Sequence, residues 1–335
     1  MTKDTGDKLG IDIGSCAIKI IQASGPADRP AVTAIGFKSI VGMNTQEISD
    51  ALKSLAAEVH VSLKSAAISL SGPSVIVRFI SLPKMDEVAL KSAIRYEAEK
   101  FIPYNISDCV IDFQTLRKDD KENKLNVLLV AAKKESVQEK MNLVERAGFS
   151  TRVIDIDSFA AANAFMRNHS PTDPNKSYAV LNIGGVHTNV SILKGDLIYF
   201  ARDIVVGGND FTSAVSKRLG IDQKSAEELK LLPPQEKKTE IADCVRGVFN
   251  DLLDEIKLSF GYYENQAGKG IDEIYVSGGA SNITDLEQVF EETLGSKPIF
   301  WNPMGFMDTS SGSIDADFIE KTKNCFSVAA GLVLR

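Results

Sequence analysis

LGIDIGSCAIKIIQASG, residues 9–25, decides the fold. Leu9, Ile11 and Ile13 alternate with Gly10, Asp12 and Gly14, the period of a strand with one face in a core. Gly14 and Ser15 break that period, and an apolar run from Ile18 to Ala23 follows, so the segment reads as a β-hairpin with its polar end at the turn. YAVLNIGGVHTNVSILKG, residues 178–195, repeats it. Asn182 takes the place of Asp12 and Gly184 that of Gly14. A strand, a polar residue near its end, a glycine turn and a returning strand thus occur twice. That repeat predicts a duplicated α/β fold whose two halves face each other.

The chemistry of such turns is specific. Glycine and small hydroxyl residues let backbone N–H groups converge on one point, a nest suited to phosphate oxygens. Gly14-Ser15 and Gly184-Gly185 are two such turns. A helix beginning after Gly207-Gly208 offers a third set of donors at its N-terminus. Gly278-Gly279, between a strand and a helix, lets a flat base lie on the backbone. There is neither a GxxxxGK[ST] loop nor a GxGxxG after a strand.

Other elements fill the space between. Residues 47–59, 86–101 and 136–147 read as helices. Residues 67–70, 75–82, 109–116 and 125–132 read as strands, the last two joined by the charged loop RKDDKENK. On the 86–101 helix, Ile94, Ala98 and Phe101 share an apolar face. Residues 73–150 therefore read as a small inserted α/β subdomain. A long amphipathic helix spans about 242–265, and Thr284 with Glu287 forms a capping box before the last apolar stripe.

The chain has 335 residues, 44% hydrophobic and 25% charged, with a formal net charge of −7. That is a globular balance of two-domain size, and the acidic sign argues against nucleic acid as a partner. No apolar run is long enough to span a bilayer, and residues 1–8 lack the apolar core of a signal peptide, so a cytoplasmic protein is expected. Cys16, Cys109, Cys244 and Cys325 form no CxxC pair and read as reduced thiols. His60 and His169 read as helix-end surface residues and His187 as an exposed turn residue. No metal-ligand cluster or Ser–His–Asp arrangement is visible.

Five segments, in order, resemble the actin-like ATPases. IDIGSCAIK resembles their first phosphate motif and LNIGGVHTNVSI their second. VVGGNDFTSAV (205–215) is similar to a segment of the heat-shock chaperones. SAEELK (225–230) resembles the ribose- and adenine-contacting segment, and VSGGASNITDLE (276–287) the adenosine motif. Within that superfamily, LPKMDEVALKSAIRYEAEKFIPY (82–104) and the IDF at 111–113 resemble the PilM family of type IV pilus assembly proteins, whose insert is shared with FtsA.

The resemblance implies an actin-like (ribonuclease H-like) duplicated fold, two lobes around a nucleotide cleft, with an inserted 1C subdomain. It implies a first lobe at 8–72 and 151–176 to which a C-terminal helix at 318–335 returns. The insert takes 73–150, the second lobe 177–220 and 266–317, and a small subdomain 221–265. It implies ATP and Mg²⁺ as cofactors. Gly14, Ser15, Cys16, Gly184, Gly185 and Thr188 would contact the phosphates, with Lys19 lining the hairpin and Gly207 and Gly208 also binding the nucleotide. Asp12 would face Mg²⁺ through water. Glu227 and Lys230 would reach ribose or base, and Gly278, Gly279 and Asn282 would line the adenine pocket. Asp157 stands where relatives orient the attacking water, and otherwise reads as the N-cap of the helix after it.

The second phosphate motif of relatives begins with Asp; here Asn182 stands there, so ATP binding with slow or negligible turnover is expected. The implied partner is the cytoplasmic N-terminal peptide of a PilN-like inner-membrane protein, in a groove between the first lobe and the insert rimmed by Arg95, Phe101 and Ile102. Other pilus components and self-association are further implied partners, with membrane attachment only through the partner. Two other classes compete: a polymerising FtsA-like division protein, whose terminal amphipathic helix FSVAAGLVLR does not resemble, and a small-molecule kinase, for which the insert is of the wrong type.

Overall fold

A computed structural model describes residues 6–26, 28–119, 123–170, 173–283, 286–310 and 314–335. The chain begins with β1 (Lys8–Ile13), β2 (Ala17–Ser24), β3 (Ala31–Ser39), α1 (Thr45–Glu58) and β4 (Ser65–Leu70). An excursion follows through β5 (Val75–Pro83), α2 (Glu87–Ala98), β6 (Cys109–Asp119) and β7 (Lys124–Lys133). Then come α3 (Lys134–Arg146), β8 (Ser150–Ile156) and α4 (Asp157–His169). The second half runs β9 (Ser177–Ile183), β10 (Thr188–Lys194), β11 (Leu197–Ile204), α5 (Gly208–Leu219), α6 (Gln223–Leu231) and α7 (Lys238–Ala267). It closes with β12 (Glu273–Ser277), α8 (Leu286–Leu294), β13 (Pro298–Phe300), α9 (Ala316–Thr322) and α10 (Ser327–Leu332).

The repeated sequence pattern is a repeated topology. One five-stranded sheet has the order β3-β2-β1-β4-β8 and the other β11-β10-β9-β12-β13. In each, three antiparallel strands are extended by two parallel ones. Even the register agrees: Asp12 pairs with Lys19 and Asn182 with Asn189.

Helices α4 and α10 join the halves. A Cβ on Gly331 would overlap the carbonyl of Ala160, so only glycine permits their crossing. Phe326, Ala329 and Ala330 then share one apolar cluster with Ile21 and Ala23 of the first sheet and Val180 and Leu193 of the second. The C-terminal segment therefore packs on both lobes rather than on the first alone. Segment 301–308 does likewise: Trp301 and Met304 enter that cluster, and the Val32 N–H donates to Asp308 O at 2.9 Å. Part of 266–317, expected in the second lobe, thus also touches the first.

Two further boundaries differ. The inserted three-stranded sheet, β5-β7-β6, ends at Lys133. Alternation along β7 gives it two apolar faces. Val127, Leu129 and Ala131 face α2, whereas Leu128 packs with Phe159 of α4 and Ala201 of β11. Helix α3, expected within the insert, belongs to the first lobe: Leu143 and Val144 join the core of β1 and α1, and Ser49 Oγ donates to Leu143 O at 3.1 Å. Residues 221–265, expected as a small subdomain, pack on the second lobe. The stripe Ile241, Val245, Phe249, Leu252 and Ile256 of α7 shares one core with β9, β10 and β12.

Local expectations fared unevenly. On α2 the buried stripe is Leu90, Ile94, Ala98 and then Ile102, at constant spacing of four, while Phe101 lies beyond the helix and is 37% exposed. His169 stacks on Phe165 with centroids 4.4 Å apart and meets Tyr275 and Trp301 edge-on, so it is half-buried rather than a surface residue. Burial lowers its pKa against a hydrogen bond to Phe165 O. The expected capping box at Thr284 lies outside the described residues. Among the described residues no helix is long and apolar enough to cross a membrane.

Candidate functional site

Each lobe ends its first strand in the same turn. The Gly14 N–H donates to Ala17 O at 3.0 Å, and the Gly184 N–H to His187 O at 2.9 Å. That closure leaves the N–H groups of Ser15, Cys16, Gly185 and Val186 without a protein acceptor among the described residues. The turns also touch. A Cβ on Gly185 would overlap Cys16 Sγ and lie 2.8 Å from Ser15 Oγ. Cys16 Sγ in turn donates to Asn209 Oδ1 at 3.3 Å. Free amides from two lobes therefore meet at the floor of a cleft of about 1490 Å³. This donor set fits a phosphate chain.

The third expected donor cluster is absent from the floor. At the start of α5, the Gly208 N–H donates to Gly184 O at 2.9 Å and the Asn209 N–H to Gly185 O at 2.8 Å. Those donors brace the second turn from behind. Gly207 sits there too, since a Cβ on it would press on the carbonyls of Gly184 and Gly185. Thr188 is buried and its hydroxyl donates to Val206 O at 2.8 Å, so it supports the turn without lining the cleft.

Charge lies on the first lobe's side. Lys19 Nζ meets Asp12 Oδ2 at 3.0 Å across the β1–β2 pair. Burial raises the Asp12 pKa, an effect that Lys19 opposes and Asp157 reinforces. Burial alone would lower the pKa of Lys19, but the Asp12 carboxylate holds it above the ordinary lysine value. Asp157 lines the same cleft as the first residue of α4, not as its N-cap.

On the second lobe's side Glu227, Gly279 and Asn282 line the cleft. Lys230 is 2% exposed and directs its ammonium at Gly208 O, Thr212 Oγ1 (2.8 Å) and Glu227 Oε2 (2.6 Å). It therefore fixes Glu227, which faces the cleft, rather than reaching outward itself. Gly278 has φ +102° and would overlap the Ile183 backbone if it carried a Cβ, so it packs the chain on β9 instead of lining a pocket. Asn282 Oδ1 accepts from Asn324 Nδ2 at 2.9 Å.

Asn182 belongs to a buried chain of side chains. Its Oδ1 accepts from Ser327 Oγ at 2.9 Å, and its Nδ2 donates to Asn189 Oδ1 at 2.8 Å. Asn189 Nδ2 donates to Asp203 Oδ1 at 2.7 Å, and Asp203 Oδ2 accepts the Gly72 N–H at 2.7 Å. Burial raises the pKa of Asp203, and both hydrogen bonds oppose the shift. His187, expected in solvent, lies with its ring against Gly72.

Gly72, His187 and Asp203 also border a second concavity of about 660 Å³. Its apolar lining includes Phe79, Phe101, Tyr199, Phe200 and Tyr262. The walls are β5 of the insert and β11 and α7 of the second lobe, with Ile156 and Ser158 from the first lobe beneath. Of the three expected groove residues only Phe101 faces it. Arg95 is exposed on α2 outside it, and Ile102 is buried in the insert's core.

Sequence reasoning missed Asn189, Asp203, Ser327 and Lys140 of α3, which also lines the cleft. Asn189 was within reach: it follows Asn182 at the spacing by which Lys19 follows Asp12. The others come from distant segments and left no local signal.

Residues 10–335 match the model of the family described as type IV pilus assembly protein PilM. The solved PilM–PilN type IV pilus biogenesis complex is similar at 27% identity and TM-score 0.87, covering 99% of this chain and 98% of that one. EutJ, the ethanolamine utilization protein of Carboxydothermus hydrogenoformans, matches at 16% identity and TM-score 0.59, over 98% of this chain and 89% of that one. ADP-bound MreB5 of Spiroplasma citri matches at 13% identity and TM-score 0.53, over 98% and 95%. The last two matches speak for the fold alone, the two-lobed actin-like architecture.

Proposed function

The chain belongs to the type IV pilus assembly protein PilM family, and on that premise we propose that it is a nucleotide-controlled scaffold of pilus assembly. It binds ATP with Mg²⁺ between its lobes and the N-terminal peptide of a PilN-like inner-membrane protein on its surface. The observation that carries the nucleotide reading is the contact of the twin turns, with four free amides where two lobes meet. Gly14, Ser15, Cys16, Gly184 and Gly185 cradle the phosphates, each glycine leaving the room a side chain would fill. Glu227, Gly279 and Asn282 receive the nucleoside. Asp12 faces the metal through water, and the metal would neutralise charge along the phosphate oxygens.

Turnover is slow or absent in this reading. Asn182 brings no carboxylate, and both ends of its amide are engaged by Ser327 and Asn189. Asp157, on the first turn of α4, lines the cleft and is the group that would orient a water.

The partner peptide lies in the groove faced by Phe101. Strands β5 and β11 are each the edge of their sheet, so an extended peptide can add main-chain hydrogen bonds while its apolar side chains meet Phe79, Tyr199 and Phe200. The protein is thereby held at the cytoplasmic face of the inner membrane by its partner. Calorimetric titration with ATP·Mg²⁺, then with a synthetic PilN-type N-terminal peptide, tests both halves. Saturable binding of each is expected. Absence of any nucleotide binding overturns the first half, and peptide binding unaffected by Phe101→Ala and Tyr262→Ala overturns the groove.

A further inference from the structure

The cleft contains a second lysine that neither glycine turn explains. Lys140, in the middle of α3, donates to Ile13 O at 2.7 Å, where β1 ends and the first turn begins. It lines the cleft beside Asp12, Lys19 and Asp157, all of which act on its charge. The two lysines are placed differently. Lys19 has a carboxylate at 3.0 Å, whereas Lys140 has a neutral carbonyl and, among the described residues, no ion pair within 4.0 Å. Burial accordingly lowers its pKa, against the pull of Asp157 and Asp12. A half-buried ammonium whose one protein acceptor is a neutral carbonyl keeps donors and charge to offer an anion that enters the cleft.

Its position says which anion. Glu227 and Asn282 line the cleft from the second lobe. The free amides of Ser15 and Cys16 belong to the turn that follows Ile13, two and three residues past the carbonyl that holds Lys140. Lys140 and Asp157 stand on the first lobe beside that turn. An ammonium has three donors; one is on Ile13 O and two remain to turn toward an oxyanion on the turn.

We propose that Lys140 recognises the terminal phosphoryl group of a nucleoside triphosphate and so sets the preference for triphosphate over diphosphate. This rests on the nucleotide reading above and adds to it the residue that reads phosphate number. The alternative role is a peg: Lys140 only ties α3 to the end of β1.

Affinities for ATP and ADP, measured side by side on the full chain, separate the two. Lys140→Gln keeps a donor for Ile13 O and removes the charge. The expected result is a loss of ATP affinity of about tenfold or more, with ADP affinity held within about twofold. Lys140→Arg keeps the charge and retains most of the preference, which covers the case in which the glutamine variant does not fold. Equal loss of both nucleotides, or no loss of either, overturns the proposal and leaves the nucleotide site standing. Wild-type protein that binds neither nucleotide overturns the site itself.

Discussion

The side-chain nitrogen of Asn182 donates to the side-chain oxygen of Asn189 at 2.8 Å, and the direction of that bond is set two residues away along the chain of contacts. Asp203 can only accept, so Asn189 must present its Nδ2 to Asp203 and its Oδ1 to Asn182. Asn182 then turns its oxygen toward Ser327, whose hydroxyl donates to it.

Restoring the acid of the usual second phosphate motif should therefore weaken the empty protein. In Asn182→Asp a carboxylate faces Asn189 Oδ1, and Asn189 cannot turn without placing oxygen on Asp203. A loss of ~1–3 kcal/mol is expected in urea unfolding at neutral pH. The deficit shrinks on acidification, as the new carboxyl group takes up the proton that lets it donate to Asn189. An unchanged unfolding midpoint would show that the chain of contacts carries no such direction.

Lys19→Met strands Asp12 as a buried anion. Breaking one partner of such a pair costs ~3–5 kcal/mol. Burial already raises the Asp12 pKa with Lys19 in place, and the substitution raises it further. Folding then favours the protonated acid, so the variant's stability is present at low pH and is lost as pH rises through that raised value. Unfolding curves at about pH 5 and about pH 7.5 should show the gap to wild type widening with pH.

Gly185→Ala tests the contact of the two turns. The new methyl group meets Cys16 Sγ and Ser15 Oγ. An empty protein relieves this by parting the lobes slightly, so its melting temperature should change little. Nucleotide binding needs the turns together and should weaken about 10- to 100-fold. Cys16→Gly in the same chain should recover part of the loss, which a double-mutant cycle reads directly.

Neighbouring residues of the insert should behave oppositely. Phe101→Ala removes an exposed ring from the groove and should weaken peptide binding by about 1–2 kcal/mol with little effect on melting. Ile102→Ala removes a side chain only 6% exposed and should cost ~2–4 kcal/mol of stability. Fluorescence anisotropy with labelled peptide and thermal melting distinguish them.

The hairpins were legible because their cause is local. Alternating apolar residues and a glycine turn specify strand, bend and strand without help from elsewhere, and the recurrence of that pattern foretold two sheets of one topology. Boundaries set by packing were not legible. Helix α3 follows β7 without a break, and only the burial of Leu143 and Val144 against α1 shows which body owns it. Phe101 and Ile102 are adjacent apolar residues past a helix end, and the i, i+4 series from Leu90 was the available clue to which one is buried. Gly207-Gly208 looked like a donor cluster because sequence does not show where carbonyls point; those of Gly184 and Gly185 had already taken the donors.

The insert enters at Ser74 and leaves at Lys133, and those residues are themselves hydrogen-bonded, Lys133 N–H to Ser74 O at 3.1 Å. A module whose two ends meet can be replaced as a cassette. A chimera that receives a relative's 74–133 equivalent keeps α3, Lys140 and both glycine turns, and it exchanges the β5 wall and Phe101 of the groove while the β11 and α7 walls stay those of the parent.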